Sequence, residues 1–337
     1  MSDAAGIRTK RLGRSDLSVS QLSFGGAGIG NLLAPVGDDE AEATVEAAWE
    51  AGIRTFDTAP HYGLGLSERR LGDVLRSHPR GQYTLSTKVG RLLEPTPDGV
   101  GDDMANGFAV PADHRRVWDF SADGVRRSLD ASLERLGLDR VDIVYLHDPD
   151  DHPDQALDQA YPALEQLRAE GVVGAIGIGM NQTALPTRFV RETDVDVVLL
   201  AGRYTLLDQS ALSDLLPEAE RRRTAVVVGG VFNSGLLADP RSCPSYDYRP
   251  ASAEVLQRAL RLEEVCEGHG VPLRAAAARF PLGHPAVTGI LVGVRSPQQI
   301  LDAVAQYHRP VPDALWTELR ESGLLGGAVP VPGPEGG

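Results

Sequence analysis

Thiols and basic charge are both scarce in this 337-residue sequence. Its two cysteines, Cys243 and Cys266, form no CxxC pair and no metal-ligand spacing, which argues against a stapled secreted fold and fits a reducing cytosol. Lys and Arg number 33 against 47 Asp and Glu, a formal net charge of −14. Nucleic-acid partners are excluded on that balance, because phosphate-backbone binding rests on a basic surface. No run of 18 apolar residues occurs, and Met1 to Lys10 lack an apolar signal core. The expectation is therefore a cytoplasmic protein with no membrane partner. Histidines are few, and none stand in H-x-H or H-x-x-x-H spacing, so no metal site is expected. The one dense cluster, His147-Asp148 with Asp150, Asp151 and His152, is expected to cap the following helix or to edge a substrate site.

What is present is core material: 42% of the residues are hydrophobic and 24% charged. Short β-branched runs alternate with longer amphipathic segments, the pattern of repeated βα units. Eight strands are expected, at 21–25, 54–58, 83–88, 141–146, 172–178, 195–200, 224–228 and 288–292. The clearest helix is 121–136, where Val125, Leu129, Leu133 and Leu136 share a face, Ser121 caps the start and Gly137 stops it. Eight such units imply a (β/α)₈ TIM barrel, one domain over 1–329, with a flexible tail over 330–337 that has nothing to bury. A doubly wound sheet has a similar local pattern. However, the glycine-rich run Phe24 to Gly30 leads into Asn31 to Pro35, with a helix only from about Asp38, so it reads as a flexible loop lining a site and not as a dinucleotide fingerprint. Two connections, 90–119 and 229–250, are longer than a barrel needs and are expected to wall the substrate on the catalytic face.

Chemistry concentrates in three motifs: Arg54-Thr55-Phe56-Asp57-Thr58-Ala59-Pro60-His61-Tyr62-Gly63, Ser86-Thr87-Lys88-Val89-Gly90 and Tyr145-Leu146-His147-Asp148. On the strand assignment Asp57, Tyr62, Lys88 and His147 all fall at carboxyl ends of adjacent strands. A phenol ionises near pH 10, roughly three units above neutrality, so it carries protons only beside a cation. Lys88 is expected to lower the pKa of Tyr62, Asp57 to hold Lys88 charged, and His147 to orient the substrate oxygen.

These motifs, in this order, resemble the aldo-keto reductase superfamily, and the likeness runs from Leu12-Gly13-Arg14-Ser15 to the last strand. The resemblance implies an enzyme that transfers hydride between NADP(H) or NAD(H) and a carbonyl or alcohol, with Asp57, Tyr62, Lys88 and His147 catalytic. A non-catalytic regulatory subunit is the rival reading, and the intact tetrad speaks against it. Three stretches, 177–182, 202–209 and 230–237, are similar to bacterial L-fucose or D-threo-aldose dehydrogenases and to pyridoxal dehydrogenases, which implies a small carbonyl or sugar substrate. Implied cofactor contacts are Gly26, Asp57, Asn181, Arg203, Phe232, Ser234, Gly235, Leu237, Gly293, Arg295, Ser296 and Gln299. In the family a Ser-Asn pair after strand five holds the carboxamide, and here Asn181 stands one residue out of register. An aromatic commonly stacks on the nicotinamide after strand seven, where this chain has Gly229 and Phe232 is the substitute. Arg295 with Ser296 resembles the pair that holds the 2′-phosphate of NADP, although Gln299 stands where many NADP users have Arg. Tyr62, His147, Trp118 and Phe232 are the implied substrate contacts. Oligomeric state has no signature in the sequence.

Overall fold

Period-two alternation decides which side chains enter the interior of this protein. The computed structural model describes residues 6–96 and 101–333. Eight parallel strands close on themselves: β1 (Leu22–Gly25), β2 (Thr55–Asp57), β3 (Thr84–Val89), β4 (Ile143–His147), β5 (Ala175–Met180), β6 (Val197–Ala201), β7 (Ala225–Gly229) and β8 (Val287–Gly293). Closure is made by β8 on β1, with Ile290 opposite Leu22 and Gly293 opposite Gly25. This is the expected (β/α)₈ barrel. Strand β5 starts at Ala175 because Val172 still belongs to the exit turn of the preceding helix, its amide donating to the Leu167 carbonyl.

Along β4, Val144 and Leu146 face outward into the large core under the helices, whereas Ile143 and Tyr145 face inward with Ala175, Val197, Leu199, Ala225 and Val227. The same parity turns Thr55 and Asp57 of β2, and Ser86 and Lys88 of β3, toward the barrel interior. The lower end is plugged by a hairpin of Thr9–Arg11 and Ser18–Ser20, which buries Leu12 and Val19.

The outer ring is α1 (Asp38–Glu50), α2 (Leu66–Leu75), α3 (Ala122–Leu136), α4 (Tyr161–Ala169), α5 (Ala184–Glu192), α6 (Leu215–Arg222), α7 (Ala253–Gly268), α8 (Leu273–Arg279), α9 (Pro297–His308) and α10 (Asp313–Glu321). Helix α3 has the expected ends: Ser121 Oγ accepts from the Gly124 amide, and Gly137 closes it at φ 62°. Among the described residues no helix is long and apolar enough to cross a membrane.

Both long connections are more ordered than loops. The first pairs Arg91–Pro95 with His114–Trp118 and Asp102–Asp103 with Phe108–Pro111 as antiparallel ribbons on the catalytic face. The second ends in a two-residue ladder, Ser245–Tyr246 with Arg249–Pro250, turned by Asp247 and Tyr248 at φ 49° and 60°. Of the expected tail, Pro330 lies where its carbonyl accepts from the Tyr204 hydroxyl at 3.5 Å, while 334–337 fall outside the described residues.

Candidate active site

Inward parity and strand ends together gather four side chains at the top of the barrel. Lys88 Nζ donates to Asp57 Oδ2 at 2.6 Å and to the Thr58 carbonyl at 2.9 Å. The other oxygen of Asp57 accepts from Ser86 Oγ at 2.7 Å, which fixes the carboxylate plane. The ammonium sits 4.6 Å from the centre of the Tyr62 ring. The His147 ring stands edge-on to that phenol, centroids 5.9 Å apart at 89°. Sequence reasoning expected these four to meet, and the fold brings them together.

Tyr62 is held by backbone. The glycine-rich run expected to be a flexible loop is instead a buried helical turn, Gly28–Gly30, packed against the Tyr62 loop. A Cβ on Gly30 would lie 2.9 Å from the Tyr62 carbonyl carbon, and one on Gly63, at φ 63°, would lie 2.2 Å from the Gly30 oxygen. Only glycine permits both the approach and the left-handed turn.

The electrostatics differ from expectation at one point. Burial pushes the Tyr62 phenol above its ordinary value; the Lys88 charge pulls it down, as expected, but does not outweigh burial. For Lys88 burial alone would lower the pKa, yet Asp57 and Tyr62 reverse it and the group stays cationic. His147 is held well below the usual imidazole range by burial, then by Arg91 and Lys88, so it is neutral. Its Nδ1 is buried without a hydrogen-bond partner among the described residues.

Several groups here were not singled out from sequence. Arg91, at the start of the first ribbon, pairs with Asp148 and lies 4.3 Å above the Trp118 ring. Asp148 therefore does not cap the helix expected to follow it; the helical turn at Pro153–Gln155 has no side-chain cap. Its carboxylate also lies 3.6 Å from His147 Nε2. Arg116, on the returning strand of the ribbon, binds Asp103 through two bonds of 2.6 and 2.8 Å and donates to His61 at Nδ1 and at the carbonyl. His61 lies beside both Tyr62 and His147. The available signal was the Arg-rich strand His114-Arg115-Arg116-Val117-Trp118, whose alternation turns Arg116 toward the site.

Residues expected at the cofactor lie at or just beyond the carboxyl ends of five strands of the barrel, β1, β5, β6, β7 and β8, with Asp57 at the end of β2. Arg295, Ser296 and Gln299 lie together at the start of α9, where Ser296 Oγ accepts from the Gln299 amide and Gln299 Oε1 accepts from the Arg295 amide. Among the described residues no acceptor pairs the Arg295 guanidinium, and the space beside Gly293 is open. A free cation at the positive end of a twelve-residue helix suits a phosphate, so these residues fit a dinucleotide. Asn181 is exposed at the end of β5, and Gly26 is buried with its amide on the Asp57 carbonyl. Phe232, Ser234 and Gly235 line the turn after β7, where Ser234 Oγ accepts from the Tyr248 amide at 3.0 Å. Arg203 is engaged by Asp247 at 2.8 Å and Asp208 at 3.7 Å. Leu237 is wholly buried, with its amide on the Phe232 carbonyl, and supports the loop from the core. Trp118, expected at the substrate, is 41% exposed at the ribbon's edge.

The chain is similar to known proteins over almost its whole length. It is 49% identical over 314 residues to a D-threo-aldose 1-dehydrogenase of Pseudomonas sp, covering 92% of this chain and 95% of that protein. It is 43% identical over 336 residues to a pyridoxal 4-dehydrogenase of Microbacterium luteolum, covering 94% and 97%. In structure it matches an aldo-keto reductase of Bacillus halodurans in its holo form, with a TM-score of 0.76, 25% identity and coverage of 96% and 98%. The profile of the aldo/keto reductase family matches residues 21–323, and with the barrel and the similarity to an aldose dehydrogenase this makes the chain an oxidoreductase that belongs to the aldo/keto reductase family.

Proposed function

We propose that this chain is an NAD(P)-dependent dehydrogenase that oxidises an aldose at C1, with Tyr62 as general acid–base. The observation that carries the reading is the Asp57–Lys88–Tyr62 arrangement: a buried ammonium held on one side by a carboxylate and facing a phenol on the other. The 49% identity to a D-threo-aldose 1-dehydrogenase supplies the substrate class.

In oxidation Tyr62 takes the proton of the C1 hydroxyl, and in carbonyl reduction it returns one to the same oxygen. Lys88 stabilises the phenolate while that proton is away. His147, kept neutral, directs a ring nitrogen at the substrate oxygen and fixes it within reach of Tyr62. When bound, the oxidised nicotinamide would supply the acceptor for the hydride leaving C1. Arg295 and Ser296 would hold a 2′-phosphate of that cofactor, with NADP favoured over NAD on this pairing. Gly26, Gly293 and Gln299 would line the cofactor's path, Asn181 would hold the carboxamide, and Phe232 with Ser234, Gly235 and Arg203 would flank the ring from the β7 turn. Trp118 and Phe232 would wall the sugar.

A second reading, oxidation of the alcohol of a pyridine ring, is favoured by the 43% identity to a pyridoxal 4-dehydrogenase. The test is a screen of free aldoses, pyridoxal and simple aldehydes with both cofactors, read by reduced-nicotinamide absorbance. Aldose oxidation is the expected result. Turnover confined to pyridoxal or to simple aldehydes would overturn it.

A further inference from the structure

We infer that His61 is a substrate-positioning residue: a fixed, uncharged N–H donor for a second hydroxyl of the substrate, beside the oxygen held by Tyr62 and His147. The inference rests on the proposed carbonyl–alcohol chemistry at Tyr62, and it names the neighbouring group that the same site recognises.

Arg116 sets the tautomer of His61. A guanidinium has five donors and no acceptor, so its bond to His61 Nδ1 requires that nitrogen to be the unprotonated one. A second bond, Arg116 Nη2 to the His61 carbonyl at 2.9 Å, holds backbone and ring by one side chain. Arg116 is itself fixed by its two bonds to Asp103, and both of those side chains are less than a tenth exposed. The neutral ring must then carry its proton on Nε2. Burial and the charges of Arg91, Arg116 and Lys88 push His61 down to about 2, so the tautomer does not change across working pH.

Nε2 has no acceptor among the described residues, and the imidazole is only partly buried. Around it stand the His147 ring at 5.6 Å, the Tyr62 ring at 6.1 Å and the Phe108 ring at 5.1 Å, all edge-on or tilted. Phe108 supports the ring from its side, so the free donor shares its pocket with the two groups that hold the reacting oxygen.

Charge specifies the ligand class. Each cation on this wall already has a carboxylate: Lys88 has Asp57, Arg91 has Asp148 and Arg116 has Asp103. Among the described residues no positive charge is left there for a phosphorylated or carboxylated substrate, whereas a neutral N–H suits a hydroxyl oxygen. The substrate is therefore an uncharged hydroxy-carbonyl compound or its cyclic form.

The test compares reduction of lactaldehyde and propanal, which differ by one hydroxyl next to the carbonyl, in wild type, His61→Phe and His61→Gln. Wild type is expected to favour lactaldehyde in kcat/KM. His61→Phe should cut that ratio by about ten- to a hundredfold, because a donor built for a hydroxyl is what separates the two. His61→Gln, which keeps an N–H donor, should restore part of it. A wild-type ratio near one, or an equal loss on both substrates in His61→Phe, overturns the inference. So does a wild type that prefers glyceraldehyde 3-phosphate to glyceraldehyde. If neither aldehyde turns over or the variants do not fold, ¹⁵N spectra of histidine-labelled wild type decide. Nε2 of His61 should stay protonated from pH 5 to 9 and shift on adding glycerol but not 1-propanol, and titration or no shift overturns the inference. A preserved lactaldehyde ratio without aldose oxidation would sink the aldose reading and leave His61 its role.

Discussion

Lys88 and Asp57 meet at 2.6 Å with only 2% and 4% of their side chains exposed, so neither charge is tolerable without the other. Removing one partner of a buried pair typically costs about 3–5 kcal/mol, because the remaining charge is left in a dry site. Lys88→Met should lower unfolding free energy by that order and take turnover with it. Adding Asp57→Asn should recover part of the stability and none of the turnover. Denaturant unfolding and steady-state rates on the two variants check both halves; recovery of activity in the double variant would remove Lys88 from the chemistry.

Tyr62→Phe deletes one hydroxyl and leaves the ring that packs by Phe108 and His147. Turnover should drop by about 10²–10⁴-fold, the usual range for a general acid–base group. Cofactor affinity and unfolding midpoint should hold. Near-normal rates would place the proton transfer elsewhere.

His61 and His147 are both held neutral by burial first and then by nearby cations. A pKa depressed in the folded state gives stability that is present above the unfolded imidazole value and lost as pH falls through the window below it. For His61 that window runs from the unfolded value of 6.5 down to about 2. At one unit below the unfolded value each such histidine costs about 1 kcal/mol. Unfolding free energy measured at pH 7.5 and 5.5 should thus fall more in wild type than in His61→Phe. Equal falls would mean that His61 is not the neutral group described.

The Tyr62 phenol, raised by burial, is protonated at neutral pH. Reduction should accordingly be flat from pH 6 to 8, while oxidation, which uses the phenolate, should climb toward alkaline pH. A pH–rate series in both directions with one substrate pair is the measurement. An oxidation rate that falls above pH 8 contradicts the assignment.

Arg295, at the start of α9, is a cation without a paired acceptor among the described residues. Arg295→Ala should weaken NADP by roughly tenfold, the scale of one hydrogen bond to a charged group, and leave NAD little changed. Titration of both cofactors by fluorescence separates the cases, and equal losses would show that Arg295 does not hold a 2′-phosphate.

How much of this was legible beforehand follows physical lines. Strand parity is local, so the inward placement of Asp57, Lys88 and His147 could be read from period-two runs and their carboxyl ends. A further signal lay unused in the composition: of the 33 basic residues only Lys10 and Lys88 are lysine. In a chain that otherwise uses arginine, a lysine on a strand end marks a place where a compact ammonium is needed and a planar fork would not serve. The Arg116–His61 clamp was not legible, since it joins residues 55 apart through a ribbon whose pairing no local pattern fixed. The burial of Gly28–Gly30 was hidden for a similar reason, because a glycine that bends and a glycine that admits a neighbour look alike in sequence.

The contact between Gly30 and Gly63 separates what can drift from what cannot. Because the phenol's position is set by main chain against main chain, the turn after β7 can exchange side chains without displacing it, whereas Arg116 and Phe108 of the ribbons after β3 hold the same loop and must stay. Substrate preference can therefore change at the β7 turn without moving the proton-transfer geometry, and redesign for a new substrate has its latitude there, with the two glycines kept.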